Sequence, residues 1–215
     1  VTNKAFKSHT PVSYKSPEKT EIYKLLEVFQ NDRFNISVRL CTEFILRNMT
    51  RPSESVMAEW SEYDSENQLL IISAERMKMK RDHIIPLSTQ SVKILEQIAE
   101  LSEGGKYIFP SKNLVSHLST VYPLRIIQRS GIESTTHGLR HLASTILNET
   151  GLFRPDIIEA ALSHQDKNTI RATYNQAKYI EERRKMLQWW SDFIDECRTE
   201  EGNLEALKKY KIATF

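Results

Sequence analysis

The chain has 215 residues, of which 40% are hydrophobic and 27% are charged, a composition typical of one globular domain with a sizeable core. Its 30 basic and 28 acidic residues leave a net charge of only +2, so bulk charge does not indicate a nucleic-acid partner. The sequence has no run of the roughly 18 apolar residues that a membrane helix needs, and no signal-peptide pattern. Cys41 and Cys197 lie far apart in helix-like patterns, which favours reduced thiols in a cytoplasmic protein, with a single disulfide as the alternative.

Hydrophobic periodicity predicts most of the secondary structure. Residues 1–15 are polar and lack any period, which is typical of a linker or N-terminal arm. Beyond them, apolar residues recur at spacings of three and four, which indicates amphipathic helices. In chain order the predicted helices are 16–32 (beginning at Ser16 or Pro17), 36–49, a short one after Arg51 that carries Val56, Met57 and Trp60, 88–105 (capped by Ser88), 113–132, 134–145, 154–164 and a long one from about Ala177.

The segment 67–88, "NQLLIISAERMKMKRDHIIPLS", has a different period. Two apolar runs flank a polar and basic middle, which is the pattern of a small antiparallel hairpin or three-stranded sheet. The sequence therefore predicts a mainly α protein with a small antiparallel β-sheet (α+β). We expect one domain over 16–198, followed by a C-terminal tail over 199–215.

The stretch "STTHGLRHLAST" places His137, Arg140 and His141 within five residues. Helical spacing would bring all three to one face, where groups that can carry positive charge need an anion nearby. Histidines four apart could instead bind zinc, or merely pack. The zinc interpretation is disfavoured because the glutamate of the HExxH motif is missing and Arg140 intervenes.

Four further stretches give this cluster a context. "MTRPSESVMAEW" places Arg51 at a helix start with Glu54 one turn later, and "ALSHQDKNTIRATYNQ" places His164 ten residues before Tyr174. Between them lies the basic hairpin "AERMKMKRDHIIPLS", and "YNQAKYIEERRKMLQWWSDF" follows. The order arginine, lysine, HxLRH, LSH and tyrosine resembles the tyrosine recombinase (phage integrase) family, most closely integrases of prophages and genomic islands. The resemblance extends over about 20–195.

The resemblance implies a phosphodiester as the missing anion and Tyr174 as its attacking nucleophile. Two guanidiniums, those of Arg51 and Arg140, can bind both non-bridging oxygens through paired, charge-assisted hydrogen bonds. Tyrosine, with a pKa near 10, needs a base or a cationic setting to attack at neutral pH. His137 and His164 can each accept its proton or bind the phosphate, and the sequence does not divide these roles.

The same resemblance gives Lys78 a catalytic role and gives Glu54 and His141 supporting roles. Lys78 is the expected hairpin lysine and general acid for the leaving 5′-oxygen, with Lys80 as the alternative. Glu54 is expected to orient Arg51 or a histidine, although an ordinary helix carboxylate is nearly as plausible from the sequence. His141 is expected to support the helix and not to touch phosphate. The basic run 183–185 is expected to be a solvated helix face, with DNA contact as the alternative.

The implied reaction is site-specific recombination for integration or excision of a mobile element. Cleavage would leave a 3′-phosphotyrosyl linkage, which a second strand's 5′-hydroxyl resolves, so we expect no cofactor and no metal. The implied partners are double-stranded DNA at attachment sites and further copies of the chain, as a tetramer in the synaptic complex, with no membrane. Only 50 residues precede Arg51, so we expect a catalytic domain alone. The alternatives are a DNA-binding or regulatory remnant without catalysis and a type IB topoisomerase-like enzyme.

Overall fold

The computed structural model describes residues 15–77, 80–102, 104–163 and 179–214. The helices among these residues are α1 (Ile22–Phe29), α2 (Ile36–Asn48), α3 (Pro52–Val56), α4 (Thr89–Ser102), α5 (Val121–Arg129), α6 (Thr136–Thr150), α7 (Pro155–Ala161), α8 (Ile180–Glu196) and α9 (Glu200–Lys209). The strands are β1 (Tyr63–Asp64), β2 (Leu69–Ile72) and β3 (His83–Pro86). The predicted fold class, mainly α with a small antiparallel sheet, is confirmed.

Helix α2 is the centre of the core. Its N-terminus is capped by Asn35, whose side-chain oxygen accepts the backbone N–H of Ser37 at 2.9 Å. From there it packs against α1, α3, α4, α5, α6 and α8, so nearly every position along it is buried. The helix ends at Met49, which adopts a left-handed conformation (φ 54°). Because of this turn, Arg51 lies at one end of the core.

The sheet packs against helix α8 through β3. Its order is β1-β2-β3, all antiparallel, with Ile72 paired to His83 and Leu69 to Pro86. Leu70, Ile72 and Ile85 point into the core, and Ile71 is exposed, as alternation along a strand requires. This pairing places His83, the first residue of β3, in the interior.

Two of the predicted helices begin later than expected. The first predicted helix was to begin at Ser16 or Pro17, but a 3-10 turn over Lys19–Glu21 precedes α1. The reason is that Ser16 is bonded to helix α6, where its hydroxyl donates to Gly138 O. Residues 113–120 are not helical either, because they form a turn in which Ser111 N donates to Ser116 O at 2.7 Å.

Helix α8 closes the core with a buried stripe that includes Leu187, Trp190 and Ile194. Trp190 is fully buried and its indole N–H donates to Leu46 O at 2.9 Å. Cys41 and Cys197 are both buried, and neither forms a disulfide. In the expected tail, α9 packs on the 3-10 turn and α1 through Asn203, whose amide donates to Lys19 O at 3.0 Å. No helix among the described residues is long and apolar enough to cross a membrane.

The chain just before the 3-10 turn is strapped across the start of α6. Lys15 O accepts the backbone N–H of Thr135 at 3.2 Å and the hydroxyl of Ser134 at 3.1 Å. Ser16 Oγ donates to Gly138 O at 3.1 Å. A Cβ at Gly138 would overlap Lys15 O and lie 2.9 Å from Ser16 Cα. Only glycine therefore allows this strap to lie against the helix.

Gly138→Ala should lower the melting temperature by several degrees, since overpacking against backbone costs about 1–3 kcal/mol. Alanine at a helix position without this strap would instead stabilise the helix by about 1 kcal/mol. Thermal unfolding of the variant beside Ser144→Ala, a matched change on the same helix, measures the difference. A melting temperature above that of the parent would show that the strap does not pack on Gly138.

Candidate active site

Arg51 stands at the N-cap of α3, in the short turn after α2. Its backbone N–H donates to Glu54 Oε2 at 2.7 Å, and its Nη1 donates to Glu54 Oε1 at 2.6 Å. Pro52 follows at the first helical position, where its missing N–H costs nothing. The Arg51 side chain stays 27% exposed. Glu54 thus fixes an arginine whose guanidinium remains open to solvent.

Arg140 lies one turn into α6 and points inward. It is 6% exposed, and its Nη1 donates to Met49 O while its Nη2 donates to Leu162 O at 2.7 Å. Burial lowers the pKa of Arg140 to about 10; the Glu54 carboxylate raises it and the Arg51 charge lowers it by smaller amounts. The guanidinium therefore remains charged at neutral pH. It joins α6 to the ends of α2 and α7.

Each guanidinium keeps hydrogen-bonding capacity to spare. Arginine has five N–H donors in a planar fork. Arg51 uses two of them, on Glu54 and on Ser163 O at 3.4 Å, and Arg140 uses two on its carbonyl partners. Three donors on each arginine have no acceptor among the described residues. Within the described part of the chain, these two fixed guanidiniums can therefore bind a tetrahedral or planar oxyanion.

Glu54 is the carboxylate of this cluster and is 5% exposed. Burial alone would raise the pKa of Glu54, but His83 and the hydrogen bonds and charge of Arg51 outweigh it and hold that pKa below its ordinary value. Glu54 is therefore ionised at neutral pH. Its negative charge compensates the nearby guanidiniums without occupying their free donors.

The two histidines of the "HGLRH" stretch have different surroundings. His137 is exposed, and partial desolvation together with the charges of Arg140 and Arg51 lowers the pKa of His137, against a smaller opposing effect of Glu54. Its neutral form can accept a proton. His141 faces outward, with Nδ1 3.5 Å from Thr145 Oγ1. On α6, His137 and His141 are exposed whereas Arg140 between them is buried, so the three side chains do not meet on one exposed surface as expected.

Lys78, His164 and Tyr174 lie outside the described residues. The described residues that flank them, Met77, Ser163 and Tyr179, have defined positions. Ser163, directly before His164, offers its carbonyl to Arg51 Nη2. Tyr179, after the segment, is 8% exposed, and Met77, directly before Lys78, is 3% exposed.

Sequence reasoning missed two buried members of the cluster. Arg183 was expected on a solvated face, but it is 1% exposed and its Nη1 donates to Ile84 O at 2.7 Å. Its spacing of four and seven to Leu187 and Trp190 was a signal for the buried stripe. Burial lowers the pKa of Arg183 to about 10. His83 is also 1% exposed, and the alternation of β3 was its signal.

The environment of His83 suppresses its charge. Burial is the largest cause that lowers its pKa, to about 4; Glu54 opposes, and Arg183, Arg140 and Arg51 lower it further. His83 is therefore neutral at physiological pH. Within the described ranges, no group of three or more histidine, cysteine or acidic side chains is arranged to hold a metal ion.

Comparison with known proteins assigns this arrangement to a family. The model of the phage integrase family matches residues 16–181. The chain belongs to this family. Prophage integrase IntA of Escherichia coli K12 is 38% identical to this integrase-family chain, in an alignment that covers 97% of the chain and 51% of IntA. The integrase of Enterobacteria phage P4 is 32% identical, in an alignment that covers 83% of this chain and 45% of the relative. The chain spans about half the length of these curated relatives.

Solved integrases share the fold. The integrase from mycobacterium phage Brujita superposes with a TM-score of 0.64 at 18% identity, covering 85% of this chain and 60% of that one. A lambda integrase tetramer bound to a Holliday junction superposes with a TM-score of 0.59 at 19% identity, covering 75% and 50%. The integrase-family chain therefore has the integrase catalytic fold.

The low pKa of His83 predicts acid sensitivity. Unfolded histidine has a pKa near 6.5, so unfolding takes up a proton as the pH falls from about 6.5 to 4, and stability contributed by the neutral ring is lost there. Between pH 7 and pH 5 this part of the free energy of unfolding should fall by roughly 2 kcal/mol. His83→Leu should remove it, and urea unfolding at both pH values measures the difference.

Ile72→Val, at the residue paired with His83, is the matched control. It removes a buried methyl without changing a titrating group, so its effect on the free energy of unfolding should be equal at both pH values. An equal loss of stability between pH 7 and pH 5 in His83→Leu and in the parent would contradict the assignment of a low pKa to His83.

Proposed function

We propose that this chain is the catalytic domain of a site-specific DNA recombinase in which Tyr174 cleaves a phosphodiester to a 3′-phosphotyrosyl intermediate. The observation that carries the proposal is the pair of fixed guanidiniums, Arg51 and Arg140, beside ionised Glu54, each with N–H donors that no described residue accepts. Membership of the phage integrase family supports it. A 5′-hydroxyl of another strand then attacks the phosphotyrosine, which conserves the bond and rejoins the DNA.

The arginines would act as transition-state donors. Negative charge grows on the non-bridging oxygens as the tyrosine oxygen adds to phosphorus, so fixed donors bind the transition state more strongly than the substrate. Arg140 is anchored at both terminal nitrogens and cannot swing away without breaking bonds to Met49 and Leu162. This fixed geometry lets the charge stabilisation act without reorganisation at the moment of reaction.

The remaining residues are proposed to transfer protons, to bind the phosphate or to hold other residues in place. His137 and His164 share the tasks of accepting the tyrosine proton and binding the phosphate; the low pKa and exposure of His137 support its part. Lys78 is proposed to protonate the leaving 5′-oxygen, and Glu54 to hold Arg51. His141 is proposed to stabilise α6 from its outer side. The chemistry requires no cofactor and no metal, since the phosphotyrosine itself stores the bond.

Double-stranded DNA at attachment sites is the proposed substrate, and further copies of the chain are the proposed partners. The lambda integrase structure on a Holliday junction, a tetramer, supports assembly on DNA. We assign the catalytic domain to 16–198, the linker or arm to 1–15 and the tail to 199–215. Integration and excision of a mobile element in the cytoplasm would be the biological role.

Tyr174→Phe should abolish covalent attachment to DNA and leave non-covalent binding nearly unchanged, because only the nucleophilic oxygen is lost. A nicked suicide duplex carrying the attachment sequence, analysed on a denaturing gel, measures the adduct. Tyr179→Phe is the matched control, since this neighbouring tyrosine is buried. An adduct that persists in Tyr174→Phe would contradict the assignment of the nucleophile. A parent protein that binds DNA but forms no adduct would indicate a regulatory remnant.

Lys78→Ala should be slow on ordinary DNA but cleave at nearly the parent rate when sulfur replaces the bridging 5′-oxygen. A thiol, with a pKa near 8.5 in cysteine, leaves readily without a proton, so a general acid is no longer needed. Single-turnover cleavage of both substrates measures this rescue. Equal impairment on both would show that Lys78 binds phosphate, and rescue in Lys80→Ala alone would assign the acid to Lys80.

A further inference from the structure

Arg76 joins the basic hairpin to helix α3. Its Nη2 donates to the carbonyl of Glu54 at 3.3 Å, and its Nη1 forms an ion pair with Glu62 in the 3-10 turn Trp60–Glu62. The side chains of the pair are 19% and 11% exposed, so solvent screens this pair less than an ordinary surface pair. The carbonyl of Glu54 lies in the last turn of α3, where carbonyls lack helical N–H partners. Arg76 therefore supplies a donor that the short helix itself does not.

Glu54 bonds to Arg51 and to Arg76 with different groups. Its two carboxylate oxygens accept from Arg51, at 2.7 Å from the backbone N–H and at 2.6 Å from Nη1, whereas its carbonyl accepts from Arg76. One residue of α3 thus contacts both a proposed phosphate-binding arginine and the hairpin. The position of the hairpin is thereby fixed relative to the guanidinium of Arg51.

The described residues that flank Lys78 are also held. Met77, directly before it, is 3% exposed and belongs to the hydrophobic core. Lys80, two positions after it, adopts a left-handed conformation (φ 52°) and donates its backbone N–H to Met77 O at 3.0 Å. Lys78 itself lies outside the described residues, but covalent geometry keeps its Cα within about 7 Å of the Cα of Arg76.

A general acid acts only when its proton reaches the leaving oxygen, at a heavy-atom distance of about 2.6–3.2 Å. The ammonium of lysine sits on a flexible four-carbon stem, so it meets this requirement most often when its backbone is fixed relative to the phosphate. The phosphate would be bound by Arg51, and Glu54 holds Arg51. Arg76 ties the backbone just before Lys78 to the same Glu54.

We propose that Arg76 is a positioning residue for Lys78, which holds the hairpin on α3 so that the ammonium reaches the leaving 5′-oxygen of the phosphate bound by Arg51. This inference rests on the proposed recombinase function and adds a residue to its mechanism. Arg76 acts through the hairpin and touches neither the DNA nor the reacting atoms. Its charge is compensated by Glu62, so a contact with a DNA phosphate would require it to leave this partner.

The test measures single-turnover cleavage of the nicked suicide duplex by the full chain, with oxygen or with sulfur at the bridging 5′ position. Arg76→Met keeps an apolar stem and removes both anchoring bonds. It should slow cleavage of ordinary DNA by about tenfold or more and cleavage of the sulfur substrate by less than about twofold, because a thiol leaves readily without a proton. The dissociation constant for ordinary DNA should stay within about twofold of the parent value, since no DNA contact is lost.

Arg81→Met is the matched control. It removes the same charge from the same hairpin, and the side chain of Arg81 forms no ion pair with the described residues. Arg81→Met should therefore change the two cleavage rates by the same factor. Glu62→Gln weakens the anchor of Arg76 from its other side and should also slow ordinary DNA more than the sulfur substrate, which tests the same contact if Arg76→Met does not fold.

A double variant shows whether Arg76 acts through Lys78. With the ammonium removed, its position no longer matters, so Arg76→Met with Lys78→Ala should cleave ordinary DNA no more slowly than Lys78→Ala alone. Multiplicative losses would overturn the inference. So would cleavage of ordinary DNA at the parent rate by Arg76→Met, or equal slowing on both substrates. Equal slowing with weaker DNA binding would assign Arg76 to a phosphate contact, and equal slowing with a lower melting temperature would assign it a structural role alone.

The proposed function and this inference fail in different ways. A parent protein that forms no Tyr174-dependent adduct would overturn both. Sulfur rescue in Lys78→Ala but not in Arg76→Met would overturn the positioning role alone and leave Lys78 as the acid. Sulfur rescue in Lys80→Ala alone would overturn Lys78 as the acid together with this inference, and would leave Tyr174 as the nucleophile.

Discussion

The burial of arginine charge at one end of the core is the constraint on which the structure depends. Arg140 and Arg183 are almost completely buried, and Arg51 is held beside them by Glu54. A buried charge is tolerated only when hydrogen bonds and counter-charge replace water. Here backbone carbonyls at the ends of α2, α7 and on β3 supply those bonds. The guanidiniums thereby fix the relative positions of elements that are far apart in sequence.

This constraint explains why the guanidiniums of Arg51 and Arg140 have fixed positions. The left-handed turn at Met49 ends α2 and presents the carbonyl that Arg140 uses, and the same turn leads directly into Arg51. Both catalytic candidates therefore depend on the same few residues of backbone. Donors fixed in this way need little reorganisation to stabilise charge on a phosphate, which is the main source of catalysis in such sites. Ser163 brings the chain that leads to His164 to the same place.

The sequence was informative where a residue type and a spacing have one physical meaning. Apolar periodicity predicted α2, α6 and α8, and the change of period predicted the sheet. The sequence placed Arg51 at a helix start with Glu54 one turn later, and Arg51 is the N-cap of α3. Periodicity failed over 113–120, where local bonds between serines form a turn that no hydrophobic pattern records.

The interior of the site was less accessible to sequence reasoning. A basic run such as 183–185 is usually solvated, but the guanidinium of Arg183 is buried against β3, where the carbonyl of Ile84 accepts one of its N–H groups. The same holds for His83, whose neighbours on α3, α6 and α8 meet only in three dimensions. Family order located Tyr174, His164 and Lys78, and their roles stay predictions.

The central claim is that Arg51 and Arg140 act together as paired donors to one phosphate. Single-turnover cleavage by Arg51→Lys, Arg140→Lys and the double variant tests it most directly, because lysine keeps the charge but cannot make the paired contact. The account predicts a loss on the order of a hundredfold in each single variant, with less than the product of the two losses in the double variant. Cleavage at the parent rate by either lysine variant would contradict it.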